Sequence, residues 1–261
     1  MQLTIKHPFL CLPVVSHPKD TRVLKLFDGE KLLLCVYFPF GEAAADNGTY
    51  SYEYLSPLPV SEWMGRTLTL SAEFPAGFED AVTQTDELPV SGEVHPAVHF
   101  TANAGWINDP NGLVYDNGTY HLYYQHNPFG VNWNNMSWGH ATSTDLLHWT
   151  RLPVAMLPDE EGTIFSGCGL TNEHRDEIQA AADSNLYRSL PKDALLFFYT
   201  AAGGSHDSAC SEGKDYTQHT AYSTDHGLTL QKLPGAVVPF LKTDNRDPKV
   251  CLLYTSPSPR D

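Results

Sequence analysis

Residues 21–27, 31–38, 49–55 and 66–74 alternate apolar with polar or β-favouring side chains, the two-residue period of half-buried strands. Turn signals separate them: Asp28-Gly29, Asn47-Gly48, and Pro57 with Pro59. Residues 1–85 are therefore expected to form a small β-sandwich-like module. The polar, Pro- and Gly-containing stretch 86–98 is expected to be a linker, and no chemistry concentrates before it.

Beyond residue 99 the texture changes. Gly112 to Gln125 reads as two strands joined at Asp116-Asn117-Gly118, a strong hairpin signal. Ser143-Thr144-Asp145 and Ser223-Thr224-Asp225 then repeat one phrase, each preceded by an aromatic strand (121–124; 195–199) and followed by a strand and Leu-Pro. Repeated four-strand units are how a β-propeller looks in sequence, and the stretch 172–190 accounts for the long spacing between the two phrases. Two unrelated hairpins sharing Ser-Thr-Asp turns are the plainer alternative. Asn47, Asn117 and Asn135 match the glycosylation pattern and are read as turn or loop positions.

Composition narrows the function. The 261 residues carry 16 Lys+Arg against 31 Asp+Glu, a formal charge of −15. That balance excludes a nucleic-acid partner, which needs clustered cations, and an anionic membrane surface. No apolar run approaches the roughly 18–20 residues of a membrane span, and residues 1–8 lack the features of a signal peptide. A soluble, cytoplasmic protein is expected. The five cysteines are scattered and odd in number, so neither a disulfide framework nor a zinc ribbon follows. His95 and His99 are four apart, but Pro96 lies between them and no HExxH context exists, so no metal site is expected. Thirteen Tyr, twelve Phe and five Trp, with nineteen Gly and nineteen Pro, suit an all-β chain with many turns and a sugar-binding surface.

The most informative segment is WINDPNG, Trp106 to Gly112. Asp109 precedes a strand where a carboxylate can point out of the sheet, neighbouring amides can bond hydroxyls, and Trp106 offers a flat face to a sugar ring. Spacing alone favours the plainer reading, an Asx-turn followed by an Asn-Gly turn. Gln125, Trp133, Phe165-Ser166-Gly167 and Arg246-Asp247-Pro248 fall where successive propeller blades would bring them to one cavity.

Together these phrases resemble glycoside hydrolase family 32, the invertase, levanase and inulinase family. WINDPNG, YYQHNP, the Trp133 loop, WGHATSTDLLHW, LPVAMLPDE, FSG and RDPKV occur in the family's order, from about His99 to Val250. The resemblance implies a five-bladed β-propeller and retaining hydrolysis of β-fructofuranosides such as sucrose or fructans. This chain would be an N-terminal β-sandwich-like module followed by an incomplete propeller over 99–250. In that scheme Asp109 matches the nucleophile and Asp247 the transition-state stabiliser, with Arg246 beside it favouring its ionised form. Trp106, Ile107, Asn108, Gln125, Trp133, Phe165, Ser166 and Arg246 match substrate-binding positions. No metal or organic cofactor is implied, and Cys168 stands where Ser is common.

Retaining glycosidases need a second carboxyl as general acid/base. The family's is a Glu, usually followed by Cys, in a blade beyond RDP, and no Glu follows Glu212 here. Glu160, Glu161 and Glu212 lack that context. Residues 251–261 can be encoded by a transposon-end adapter of sequencing libraries, so they are expected to be a non-native tail on a broken gene, with the polypeptide inactive as it stands. Two rival readings are an inverting five-bladed glycosidase acting on arabinosides or xylosides, and a noncatalytic fructan-binding protein.

Overall fold

A computed structural model describes residues 1–42, 49–89, 96–174, 176, 186–242 and 245–251. The first seven strands are β1 (Gln2–Thr4), β2 (Phe9–Val14), β3 (Asp20–Asp28), β4 (Lys31–Phe40), β5 (Tyr54–Pro59), β6 (Thr67–Ser71) and β7 (Thr83–Thr85). They form two antiparallel sheets, ordered β1-β6-β3-β4 and β5-β2-β7. One apolar core of aliphatic residues with Phe38, Phe40, Tyr50 and Phe78 lies between them.

Local chemistry explains where the strands differ from expectation. Asp28 pairs with Lys31 across a tight turn in which Gly29 takes φ 59°. The strand expected over 49–55 begins only at Tyr54, and Pro57 and Pro59 lie inside β5 instead of a turn. β5 is an edge strand, where a missing N–H is tolerated. β2 escapes the alternation pattern because it is buried almost throughout. Its Pro13 lies past the reach of β7, which pairs only with Phe9–Cys11. The Asn47-Gly48 turn lies outside the described residues.

The second region holds two four-stranded antiparallel sheets whose strands follow one another in space as in sequence, the connectivity of propeller blades. The first contains β8 (Trp106–Asp116), β9 (Thr119–Asn127), β10 (Ser137–Ser143) and β11 (Thr150–Met156). The second contains β12 (Thr163–Thr171), β13 (Leu195–Ala202), β14 (Tyr216–Ser223) and β15 (Gln231–Lys232). The repeated Ser-Thr-Asp phrases close the third strand of each blade. Ser143 Oγ accepts from the backbone N–H of Asp145 and Leu146, and Ser223 Oγ from those of Asp225 and Gly227. The β8–β9 turn is the expected Asn117-Gly118, with φ 50° and 84°. The two blades pack through Tyr123, Trp138, Phe197 and Tyr199. A Cβ on Gly112 would approach Tyr123, Trp138 and Phe197 to 2.9–3.1 Å, which explains why this position is bare.

Three links tie the module to the blades. Phe129 enters the module core. Asn135 bonds the backbone of edge strand β4 in both directions, accepting from Tyr37 N at 2.9 Å and donating to Tyr37 O at 2.8 Å. Cys35 of β4 forms a disulfide with Cys210 of the β13–β14 loop, Cα–Cα 6.0 Å. This corrects the expectation from cysteine spacing: the partners are 175 residues apart, so only the tertiary fold brings them together. Residues 252–261, most of the expected non-native tail, lie outside the described residues, as does part of the 172–190 insertion. No described helix is long and apolar enough to cross a membrane.

Candidate active site

The WINDPNG segment is bent strand. Two register shifts interrupt β8 against β9, between Ile107 and Pro110 and between Asn111 and Val114. Bulges of this kind re-aim side chains beside functional sites. Here they separate the segment's faces. Trp106 packs with Trp133, Phe165 and Tyr216 around Met136 and Ala202. Ile107, matched to a substrate-binding position, packs on the outer face of the blade near Tyr124 and Leu122. Asn108 and Asp109 are exposed.

Asp109 accepts a hydrogen bond from Ser166 Oγ at 2.8 Å, joining the first blade to the opening strand of the second. Asn111 underlies this contact. With its carboxamide oriented to satisfy both ends, its oxygen accepts from Gln125 Nε2 (3.0 Å) and the Trp138 indole (3.3 Å), and its nitrogen donates to Ser166 Oγ at 3.3 Å. Gln125, 2% exposed, donates to Ile164 O at 2.9 Å. Trp106 Nε1 donates to Asn108 Oδ1 at 2.8 Å, which ties the indole to the residue before Asp109. Trp133 meets Phe165 edge-on, with ring centroids 6.0 Å apart.

Asp247 reaches the same region from far along the chain. Its backbone N–H donates to Thr200 Oγ1 at 3.0 Å, and the residue takes a left-handed φ of 60°. Thr200 in turn donates to Gln218, whose Nε2 donates to Asn245 O, so a buried polar chain on β13 and β14 seats the Arg246-Asp247 segment. Partial desolvation pushes the Asp247 carboxyl above its ordinary value, Arg246 pulls it back, and the negative charge of Asp109 raises it. The Arg246 Nε to Asp247 Oδ2 distance is 3.7 Å, a loose contact. The two aspartates are thus near enough to interact electrostatically.

The structure brings together Trp106, Asn108, Asp109, Gln125, Trp133, Phe165, Ser166 and Asp247 with Arg246, and turns Ile107 away. Sequence reasoning passed over Asn111, although WINDPNG contains it. It also passed over His206, whose ring lies 5.0 Å from that of Trp133, and Asp207, which accepts from Met136 N and Thr163 Oγ1. Those two occupy a long loop with no periodic signal. Among the described residues no group of three or more His, Cys, Asp or Glu is placed to hold a metal ion.

Chemically, the arrangement offers an exposed carboxylate held by a hydroxyl, a second carboxylate nearby, and a wall of aromatic rings. The family described as Glycosyl hydrolases family 32 N-terminal domain matches residues 99–256. The chain belongs to glycoside hydrolase family 32. It is 40% identical to a levanase of Bacillus subtilis over 186 residues, 70% of this chain and 24% of that protein. It is 37% identical to a fructan beta-fructosidase of Streptococcus mutans, covering 73% of this chain and 12% of the relative. Among solved structures, the exo-inulinase of Aspergillus awamori aligns with a TM-score of 0.44 and 34% identity over 57% of this chain and 30% of that one. The chain therefore spans about a quarter or less of the length of these two curated relatives. The family 32 match takes in both blades and every site residue named above, and it begins beyond the N-terminal module.

Proposed function

We propose that residues 99–250 carry the nucleophile side of a retaining β-fructofuranosidase acting on sucrose or fructans, with residues 1–85 an accessory module and 86–98 a linker. The observation that carries this reading is Asp109 exposed at the mouth of the site, bonded to Ser166 and within electrostatic reach of Asp247. Asp109 attacks the anomeric carbon of fructose as the bond to the leaving oxygen breaks, forming a fructosyl ester that water then hydrolyses. Ser166 keeps the carboxylate aimed. Asp247 accepts hydrogen bonds from fructose hydroxyls as positive charge develops on the ring, and Trp106, Trp133 and Phe165 pack against the sugar.

Protonating the leaving oxygen needs a general acid. No Glu follows Glu212, and Glu161 is engaged by Lys214 at 3.3 Å. For this polypeptide we therefore infer fructoside binding with negligible turnover, the second reading that this observation favours. Titration with sucrose and inulin-derived oligosaccharides, followed by tryptophan fluorescence, tests both. Saturable binding that is lost in Asp109→Ala, with no release of fructose, is the expected result. Equal affinity for arabinan oligosaccharides contradicts the fructoside assignment, and measurable sucrose turnover contradicts the missing acid.

A further inference from the structure

A cavity of about 580 Å³ lies between the N-terminal module and the first blade, away from Asp109. Its volume falls in the roughly 300–1,000 Å³ range of small-molecule sites, which favour such inter-domain clefts. Edge strand β5 supplies Tyr54, Leu55 and Pro57, and the outer face of the blade supplies Tyr124, His126 and Arg151.

Two polar groups on that face have no hydrogen-bond partner among the described residues. Tyr124 is 5% exposed, and its hydroxyl makes no hydrogen bond with any described residue. Opposite it on β10 stands Gly139, where a Cβ would come within 2.2 Å of the Tyr124 ring, so the ring's position depends on that glycine. His126, two residues along and on the same face, has Nδ1 2.9 Å from Trp106 O. A carbonyl only accepts, so the proton is on Nδ1. Burial lowers the imidazole pKa to about 4, so the ring is neutral and Nε2 is left as a lone-pair acceptor.

The charged groups at the cavity are already engaged. Arg151 donates to Thr101 O at 2.6 Å and lies over the Phe100 ring, and Glu53 accepts from the backbone N–H of Ser16. What remains is an acceptor beside a phenol, flanked by apolar and aromatic walls. A hydroxyl completes that pair, donating to Nε2 and accepting from the phenol.

We propose that this cavity is an accessory binding site for a short, neutral oligosaccharide, held by Tyr124 and His126 and separate from the Asp109 site. Because His126 also grips the Trp106 carbonyl, an occupant would contact the strand that carries the nucleophile from behind. The choice of a fructose-containing sugar as probe rests on the fructoside reading above; the cavity itself does not.

Calorimetric titration of the chain with the trisaccharide 1-kestose tests the proposal. Two binding events are expected, one lost in Asp109→Ala and the other weakened about tenfold in Tyr124→Phe, a change that removes one hydroxyl and keeps the ring. Binding lost in Asp109→Ala but unchanged in Tyr124→Phe overturns the cavity site and leaves the fructoside reading standing. Binding weakened in Tyr124→Phe but intact in Asp109→Ala upholds the cavity and removes that reading. No binding to either overturns the proposal, provided the thermal unfolding of Tyr124→Phe matches the parent.

Discussion

The module and the blades are built from the same antiparallel strands, yet they bury different chemistry. Among the described residues, Ser56 is the single buried polar side chain of residues 1–85, whereas twenty lie between Asn111 and Ser223. The module's core is aliphatic and aromatic, held by non-directional burial. The blades bury His, Asn, Gln and Thr, which bond both to one another and to the backbone. The Gln125–Asn111–Ser166 and Gln218–Thr200–Asp247 chains hold the candidate site from beneath. A rigid polar floor of this kind is what a site needs to keep a carboxylate aimed.

The contrast can be broken from either side. The largest effect is expected at Phe38, whose ring contacts Phe40, Phe78 and Phe129 at 5.0–5.8 Å. Phe38→Ala should cost about 3–5 kcal/mol in denaturant unfolding. Its loss should also loosen Phe129, the blade residue in that core, so fructoside affinity should fall with stability.

Reducing the Cys35–Cys210 disulfide should remove about 2–4 kcal/mol. The loop it anchors carries His206 against Trp133, so sugar binding should weaken as well. A lower unfolding temperature with unchanged binding would show that the clamp serves the module alone.

Acid should act on the blades first. Burial holds His126 at a pKa of about 4 and His140 at about 3, the latter also repelled by His121. Both lie below the unfolded value near 6.5, so the unfolded chain takes up protons before the native one. Their contribution is intact above that value and declines as pH falls toward the native pKa values, by up to about 1.4 kcal/mol per pH unit for each ring. Chemical unfolding at pH 7 and pH 5 measures it, and His126→Gln should flatten part of the slope.

The smallest effect has the opposite sign. Ser56 Oγ is buried without a hydrogen-bond partner among the described residues. Ser56→Ala should raise stability by about 1 kcal/mol, because an unsatisfied hydroxyl is removed.

Legibility in sequence followed the same divide. The β3–β4 and β8–β9 hairpins were readable because alternation and Asp-Gly or Asn-Gly turns are local signals. The repeated Ser-Thr-Asp phrase disclosed the blades because each serves the same turn. β2 was not readable, since a strand buried on both faces loses its two-residue period. Site residues inside a motif could be named from it, although the bulges that turn Ile107 from Asp109 have no sequence mark. His206, Asp207 and the Cys35–Cys210 pair act only through distant contacts, which no local pattern records.

The reading turns on the proposed role of Asp109 as the nucleophile. The fluoride of a β-fructofuranosyl fluoride leaves without needing a proton, so that substrate tests the nucleophile independently of any general acid. Incubation with that substrate followed by mass spectrometry of peptic fragments tests the claim most directly. A fructosyl adduct is expected on the peptide that contains Asp109 and is expected to be absent in Asp109→Ala. An unlabelled chain, or an adduct on any other residue, would contradict it.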